Sequence, residues 1–497
     1  MNHLETRIAL ETVTHQAVLE LITRLGTALA KEGICYCHWK SNLYLGEAGR
    51  GERDLDLLIG KDHAQKFVQV LYGLGFKEAL APQRDSLPGV QHFYGLDQET
   101  GRLVHVHAHF QLILGSDLSK NYRLPIEQVY LGSCVPGHLF RVPAHEFELA
   151  IFIIRMVLKH SSWDTILMRH GQLTVPEREE LNYLTAQETL ERMDSALREL
   201  KVLGRGLFDL CLRALEPDCP YRIRVQAGEK LKEALRPYAR SPEGVDILRK
   251  LRRRLWEPIL RRGLRYAPRS RIAHGGLLIA VVGGDGAGKT TLINELFAWL
   301  SAEFDVARMH MGKPIWSWMT IAIRGFLKIG AVLGLYRFEG DVYEQSLGPH
   351  GYPWFVRSVC TARDRYLTYI RARQFSTNGG VVLCDRYSLP GFLPTDGPQC
   401  EDAIALSGKG NRFHRFLARL EKSYYQRIGL PDLLIVLMVQ PEVAVQRKVD
   451  ETEASVRARS MEVWERDWRK LSASVVDADQ PEAEIIAQVK ALAWTHL

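Results

Sequence analysis

Cysteine is scarce in this chain. There are eight in 497 residues, with no CxxC pair and no regular spacing. That excludes a disulfide-stapled scaffold and a zinc ribbon, and it fits a reducing, cytoplasmic setting. Long apolar runs are also missing. The best stretch, 315–336, is interrupted by Arg324 and Lys328, whereas a membrane span needs about 20 nearly uncharged apolar residues. No transmembrane segment is expected, and this stretch reads as an amphipathic or buried helix, with a membrane-surface helix as the alternative. The N-terminus, MNHLETRIALETV, is polar and acidic, which does not match a signal peptide. Charge of one sign is not spread along the chain either. Segment 249–271 holds ten Arg and Lys against one Glu, a local +9, while the whole chain is +7, so everything else sums to −2. A basic excess so confined argues against a protein that coats nucleic acid along its length. The segment reads either as a charged helical linker or as a binding site for anionic lipid, nucleic acid or a polyphosphate partner, and no sequence-specific nucleic-acid module is evident.

What is present is ordinary for a globular protein: 46% apolar and 25% charged residues. The length predicts two or three domains. Residues 9–30 place Val18, Leu21, Ile22, Leu25 and Leu29 on one helical face. Strands are expected at 34–40, 55–59 and 103–114, with a helix over 61–74. From 146 to about 264 the pattern is helical. At Leu277 the texture changes to continuous apolar strands, LLIAVVGG, then 380–384 and 433–439, separated by helical stretches. That alternation indicates a parallel sheet with crossover helices. The expected layout is an α+β domain over 1–140, a helical region ending in a basic linker over 141–272, and an α/β domain over 273–497.

The strongest motif is Gly283-Gly284-Asp285-Gly286-Ala287-Gly288-Lys289-Thr290-Thr291. It fits GxxxxGK[ST] and lies between an apolar strand and a helix, the P-loop context. Glycines let successive N–H groups curl around phosphate oxygens, and the helix adds the positive end of its dipole. Lys289 can neutralise a transferred phosphate, and the Thr290 hydroxyl can ligate Mg²⁺. Asp385 and Arg386 follow the apolar strand of GGVVLCDRYSLP, at the edge where such sheets bind ligands. Asp385 could join the Mg²⁺ shell and Arg386 could clamp an acceptor phosphate. Asp285, an acid among phosphate-binding amides, is unfavourable there unless it holds a metal-bound water or an acceptor hydroxyl.

DGAGKTT, DRY and PDLLIVLMVQPEVAVQRK together resemble the thymidylate kinase family of nucleoside monophosphate kinases, over roughly 277–495. The resemblance implies a P-loop NTPase sheet, ATP and Mg²⁺ as cofactors, and phosphoryl transfer to a nucleoside monophosphate, with dTMP the first acceptor to consider. It implies that Lys289 and Thr290 serve the ATP phosphates and Mg²⁺, and that Asp285 approaches the acceptor sugar. Arg365 and Arg386 would contact the acceptor. Arg447, Lys448, Arg457 and Arg459 would belong to a lid closing over the phosphates. A homodimer through this half is left open. The chain departs from the family in two places. An R-E-P-G stretch is replaced by Arg308-Met309-His310-Met311-Gly312-Lys313-Pro314, and SLPGFLPTDGPQC stands where base-recognition residues belong. The phosphate chemistry is therefore better marked than the acceptor.

In the N-terminal half, Arg53-Asp54-Leu55-Asp56 brings two carboxylates into a strand two residues apart, on one face. Such a pair can share a Mg²⁺ that also holds a nucleoside triphosphate. CHWKSN, RDLDLLIG and VHVHAHF resemble the nucleotidyltransferase fold, and more particularly an uncharacterised nucleotidyltransferase family with a helical C-terminal part, over about 20–260. The resemblance implies Asp54 and Asp56 as metal ligands, with Lys40 and Ser41 near the phosphates. The strand that should supply a third carboxylate carries His105, His107 and His109 instead. His105 and His109 would lie about 13 Å apart at Cα in a regular strand, too far for one zinc ion to take all three easily. An adjacent pair plus an Asp remains feasible, so the three are either polar-face histidines or part of a metal or phosphate site. Three functions stay open: a P-loop kinase for dTMP or another phosphorylated acceptor, a nucleotidyltransferase with a regulatory nucleotide-binding half, and a nucleotide-binding scaffold.

Overall fold

The computed structural model describes residues 18–82, 86–116, 118–161, 171–185, 187–263, 269–335, 351–389, 397–408, 410–448 and 452–497. The chain is an α/β protein made of two compact units, Met1–Pro268 and Arg269–Leu497.

In the first unit, helix α1 (Glu20–Lys31) buries Leu21, Ile22, Leu25 and Leu29, the face its periodicity predicts; residues 9–17 of that expected helix lie outside the described residues. Strands β1 (Tyr36–His38) and β2 (Leu55–Ile59) pair antiparallel. Helix α2 (Ala64–Gly73) follows, then β3 (Lys77–Leu80), β4 (Val90–Leu96) and β5 (Leu103–His109). Their order is β1-β2-β5-β4-β3. The β2–β5 pair is parallel, and β5–β4 and β4–β3 are antiparallel. The expected long strand 103–114 breaks at Phe110 and Gln111. From Leu112 the chain leaves this sheet and pairs with Tyr122–Leu124 in a separate two-stranded ribbon.

The two faces of this sheet have different partners. Leu55, Leu57, Ile59, Val104, Val106 and Ala108 join the residues of α1 and α2 in one core. On the other face Leu58 belongs to a second core built on helix α3 (His145–His160). Twelve of the sixteen α3 residues are buried, which is why its apolar pattern runs all round rather than along a stripe. Burying one such Leu or Ile fully is worth roughly 1.5–3 kcal/mol. Helices α4 (Val175–Leu184), α5 (Gln187–Leu200), α6 (Arg205–Ala214) and α7 (Tyr221–Leu235) complete that core. Thr174 and Glu177 close the start of α4 with a reciprocal capping box. The basic run lies mostly on α8 (Glu243–Gly263).

In the second unit, β6 (Leu277–Gly283), β7 (Val306–His310), β8 (Val381–Asp385), β9 (Leu433–Met438) and β10 (Ser474–Asp477) form a sheet in the order β7-β8-β6-β9-β10. Every pair is parallel. The crossovers carry helices α9 (Lys289–Ser301), α10 (Trp318–Val332), α11 (Tyr352–Thr377), α12 (Arg412–Gln426), α13 (Pro441–Arg447) and α14 (Glu453–Trp464), and α15 (Glu482–His496) follows the last strand. Leu278, Ala280, Val282, Val382, Cys384, Leu434 and Val436 fill one side of the sheet, and Leu277, Ile279, Val281, Val381, Leu383, Leu433 and Ile435 are buried on the other, so β6, β8 and β9 read as unbroken apolar runs. Helix α10 is the one expected between 315 and 336, but it is not a buried helix. Only Thr320 and Gly330 are buried, while Trp318, Phe326 and Val332 are largely exposed. Among the described residues, no helix is long and apolar enough to cross a membrane.

Candidate functional sites

The glycine motif lies where β6 turns into α9. Gly286 and Gly288 have φ of +75° and +84°, a left-handed backbone that glycine adopts without a Cβ penalty. Gly288 caps α9, so Lys289 opens the helix. Its Nζ donates to the carbonyls of Gly283 at 3.0 Å and Gly284 at 2.7 Å. Burial lowers the Lys289 pKa from the usual lysine value. Asp285 and Asp385 pull it back up, and Arg386 and Lys448 push it down. Five of the singled-out side chains therefore share one electrostatic neighbourhood. Thr290 and Thr291 are exposed in the first turn of α9.

Asp385 ends β8, in register with Val281 of β6 on one side and His310 of β7 on the other. Arg386 follows at φ +57°, a conformation that costs a residue with a Cβ roughly 1–2 kcal/mol. From the far side of β6, α14 closes against the loop. A Cβ on Gly284 would stand 2.9 Å from Ser460 Oγ, and Arg459 Nε pairs with Asp285 Oδ2 at 2.7 Å. Arg447 reaches the carbonyl of Gly286 at 3.5 Å and that of Ala478 at 3.0 Å.

Not every singled-out arginine joins this group. Arg457 is taken by Glu442 at 2.8 Å and Glu453 at 2.9 Å. Arg365 is buried on α11. It donates to the carbonyls of Met311 at 3.0 Å and Gly312 at 3.3 Å, and to Tyr425 Oη at 2.6 Å. It grips the turn after β7 from behind. A Cβ on Gly312 of that turn would come within 3.0 Å of Arg386 Cδ, so Arg365 bears on the site by fixing what Arg386 passes over.

In the first unit, Asp56 of β2 is in register with His107 of β5. Asp56 Oδ1 receives Lys40 Nζ at 2.8 Å, His107 Nδ1 at 3.2 Å and His109 Nε2 at 3.3 Å. Asp54 Oδ1 meets His105 Nδ1 at 3.0 Å, and its Oδ2 lies 3.7 Å from His107 Nε2. Burial alone would raise both carboxyls. Lys40 and the imidazoles of His107 and His109 hold Asp56 well below the usual carboxylate range, and His105 and His107 lower Asp54. Across the sheet, His92 of β4 stands opposite His107, and its Nδ1 is 3.2 Å from His105 Nε2. Burial, reinforced by the neighbouring imidazoles, lowers His92 to about 3, and burial lowers His109 to about 4. Both rings are neutral at physiological pH.

A cavity of about 470 Å³ opens beside this cluster, lined among others by Trp39, Lys40, Arg53, His92, His107 and Arg155. Next to Ser41 of its lining, the Asn42 N–H donates at 3.1 Å to Glu148, which is buried on α3. Burial raises Glu148 to about 7, and its Oε2 has no hydrogen-bond partner among the described residues. The folded chain therefore holds a proton there that the unfolded chain releases near pH 4.5. Stability from this group is fully present below that pH and is lost as pH rises to about 7. Glu148→Gln keeps the acceptor and removes the titration. It is expected to match the wild type at pH 4 and to exceed it by about 3 kcal/mol at pH 8, as read by urea unfolding at the two pH values. An equal difference at both would contradict the assignment.

No family model matches the chain. Over 198 residues it is 30% identical to the uncharacterised ATP-binding protein YghS of Escherichia coli strain K12, an alignment that takes in 37% of this chain and 77% of that protein. The chain belongs to the YghS family. YghR of the same organism, also described as an uncharacterised ATP-binding protein, is 24% identical over 220 residues, which are 43% of this chain and 85% of YghR. Each alignment by itself leaves more than half of the chain uncovered, so kinship with YghS and YghR leaves much of the molecule to be argued from its own geometry.

His92 is the residue that sequence reasoning missed. The reading of 103–114 as a strand put three histidines on one face and found that one ion could hold all three only under strain, leaving an adjacent pair plus an Asp as the metal site to consider. It named no strand at 90–96. The signal was there in VQHFYGL, a β-rich heptapeptide, and pairing it with β5 supplies a neighbour that β5 alone cannot. Ser460 was the other omission; a small side chain is needed there because the glycine loop comes so close.

Proposed function

We propose that the second unit binds ATP and transfers its γ-phosphoryl group to a phosphorylated acceptor, in the manner of a thymidylate kinase. The single observation that carries this reading is the grouping of Lys289, Asp285, Asp385 and Arg386 at one edge of a parallel sheet, around a glycine loop that opens a helix. The ATP-binding description of YghS and YghR supports the nucleotide. Lys289 moves from its loop carbonyls onto the phosphates. The loop N–H groups and the α9 dipole take the phosphate charge. Arg386 orients the acceptor phosphate, and Asp285 accepts from an acceptor hydroxyl once Arg459 turns to the phosphates. Arg447 and Arg459 exclude water on closure. Thr290 and Asp385 offer the oxygen ligands a Mg²⁺ prefers, and that ion would neutralise charge on the transferred group. Positioning and charge stabilisation supply the catalysis.

The test is ADP release from ATP and Mg²⁺ with a panel of dTMP, other nucleoside monophosphates and phosphorylated sugars. Stimulation by dTMP alone makes the acceptor thymidylate. Stimulation by another member keeps the reaction and changes the acceptor. No stimulation by any of them removes the reading.

A further inference from the structure

The histidine cluster of the first unit has a geometry that a pair of Mg²⁺-binding carboxylates does not need. Among the described residues, His92, His105 and His107 each offer one ring nitrogen, all within 4.8 Å of one another. Ligand atoms of a tetrahedral ion held at about 2.0–2.1 Å lie about 3.3–3.4 Å apart, and His92 Nδ1 and His105 Nε2 are separated by 3.2 Å. The backbone fixes this arrangement. His92 and His107 are directly opposed on antiparallel strands, and His105 is two residues from His107 on the same face.

The second nitrogen of two of these rings is engaged by carboxylate. His105 turns Nδ1 to Asp54 and leaves Nε2 facing His92. His107 turns Nδ1 to Asp56 and leaves Nε2 on the Asp54 side. A carboxylate behind an imidazole fixes its tautomer and aims the other nitrogen at a metal. Tyr94 stacks on the His105 ring, with centroids 4.1 Å apart and planes 7° apart, and holds it in that orientation.

We infer that the first unit binds one borderline divalent transition-metal ion of the Zn²⁺ class through His92, His105 and His107, with Asp54 and Asp56 as positioning residues behind them. Imidazole nitrogens select Zn²⁺ and its neighbours, whereas Mg²⁺ prefers oxygen. A competing triad, Asp56, His107 and His109, is also compact. It is the poorer site, because Asp56 Oδ1 is already capped by the Lys40 ammonium at 2.8 Å, and a cation there must displace another. The metal site does not rest on the ATP reading, which concerns other residues.

The experiment uses the full chain, stripped with a chelator and titrated with Zn²⁺, and with Co²⁺ for its visible spectrum. The expected result is one equivalent bound, unaffected by millimolar Mg²⁺. His92→Ala and His105→Ala should each weaken binding by more than about 100-fold, and Asp54→Asn by roughly 10–100-fold, the usual range for loss of a residue behind a ligand. His109→Ala should stay within about threefold of the wild type. His92→Gln, checked by circular dichroism, replaces the alanine variant if that one fails to fold. Failure to bind Zn²⁺ at micromolar concentration, displacement by Mg²⁺, or binding that survives loss of His92 and falls with loss of His109 would each overturn the proposal.

Discussion

Lys289→Met is expected to lower acceptor-stimulated ADP formation by about 10²–10³-fold, the loss typical of removing one charge-stabilising group from a phosphate or oxyanion site. The same variant should be no less stable than the wild type. Among the described residues, its ammonium donates only to loop carbonyls, those of Gly283 and Gly284. Burial lowers its pKa, so at a pH between its folded and unfolded values the unfolded chain binds more protons. Stability then rises with pH through that window, and at neutral pH the buried charge is a cost. An apolar side chain of similar length removes that cost and covers the same surface. Turnover and stability thus move apart, which loss of a merely structural residue would not produce. The check is a coupled ADP assay beside urea unfolding at pH 7. Turnover within about threefold of the wild type would remove Lys289 from the phosphate site.

The part of this site that the sequence made legible is the part in which chemistry restricts residue type locally. GGDGAGKTT needs glycines at left-handed positions, and a continuous apolar strand before it can only be buried on both faces. These are short-range constraints, and the turn at Gly286 and Gly288 obeys them. What the sequence did not mark are contacts between distant segments. Nothing in TARDRYLTY distinguishes Arg365, which grips the turn at Met311 and Gly312, from Arg363, which donates to Ser317 Oγ at 2.9 Å. Two residues, about 200° of helical rotation, separate the buried arginine from the half-exposed one. In the first unit the same limit appears as sheet register. Asp54, Asp56 and the three histidines of β5 alternate with apolar residues in plain sight. Which of them meet depends on β2 running parallel to β5 and β4 antiparallel to it, and no local pattern encodes that. The unbroken strand expected over 103–114 failed for a related reason. An apolar run does not reveal that it changes sheets part-way along.

Arg386→Gly is expected to stabilise the fold while abolishing acceptor turnover. Asp385 is the last residue of β8, and the chain turns immediately through φ +57° at Arg386. A Cβ at such a position costs roughly 1–2 kcal/mol, and glycine avoids it at the expense of some extra entropy in the unfolded chain. The net gain over Arg386→Ala should be about 1 kcal/mol, measured as a shift in the urea midpoint at unchanged slope. Strain of this kind persists where the side chain it aims is needed. Here it carries the guanidinium off the end of β8, past Gly312 and into the neighbourhood of Lys289 and Asp385. Both variants lose that group, so both should fall about 10²–10³-fold in kcat/KM for the acceptor, with KM for ATP little changed. Arg386→Lys keeps the charge without the planar fork and should recover only part of the loss. Two outcomes separate the two halves of the argument. If Arg386→Gly is less stable than Arg386→Ala, the strain is not real. If either variant turns over acceptor like the wild type, the guanidinium at Arg386 serves something other than the acceptor phosphate.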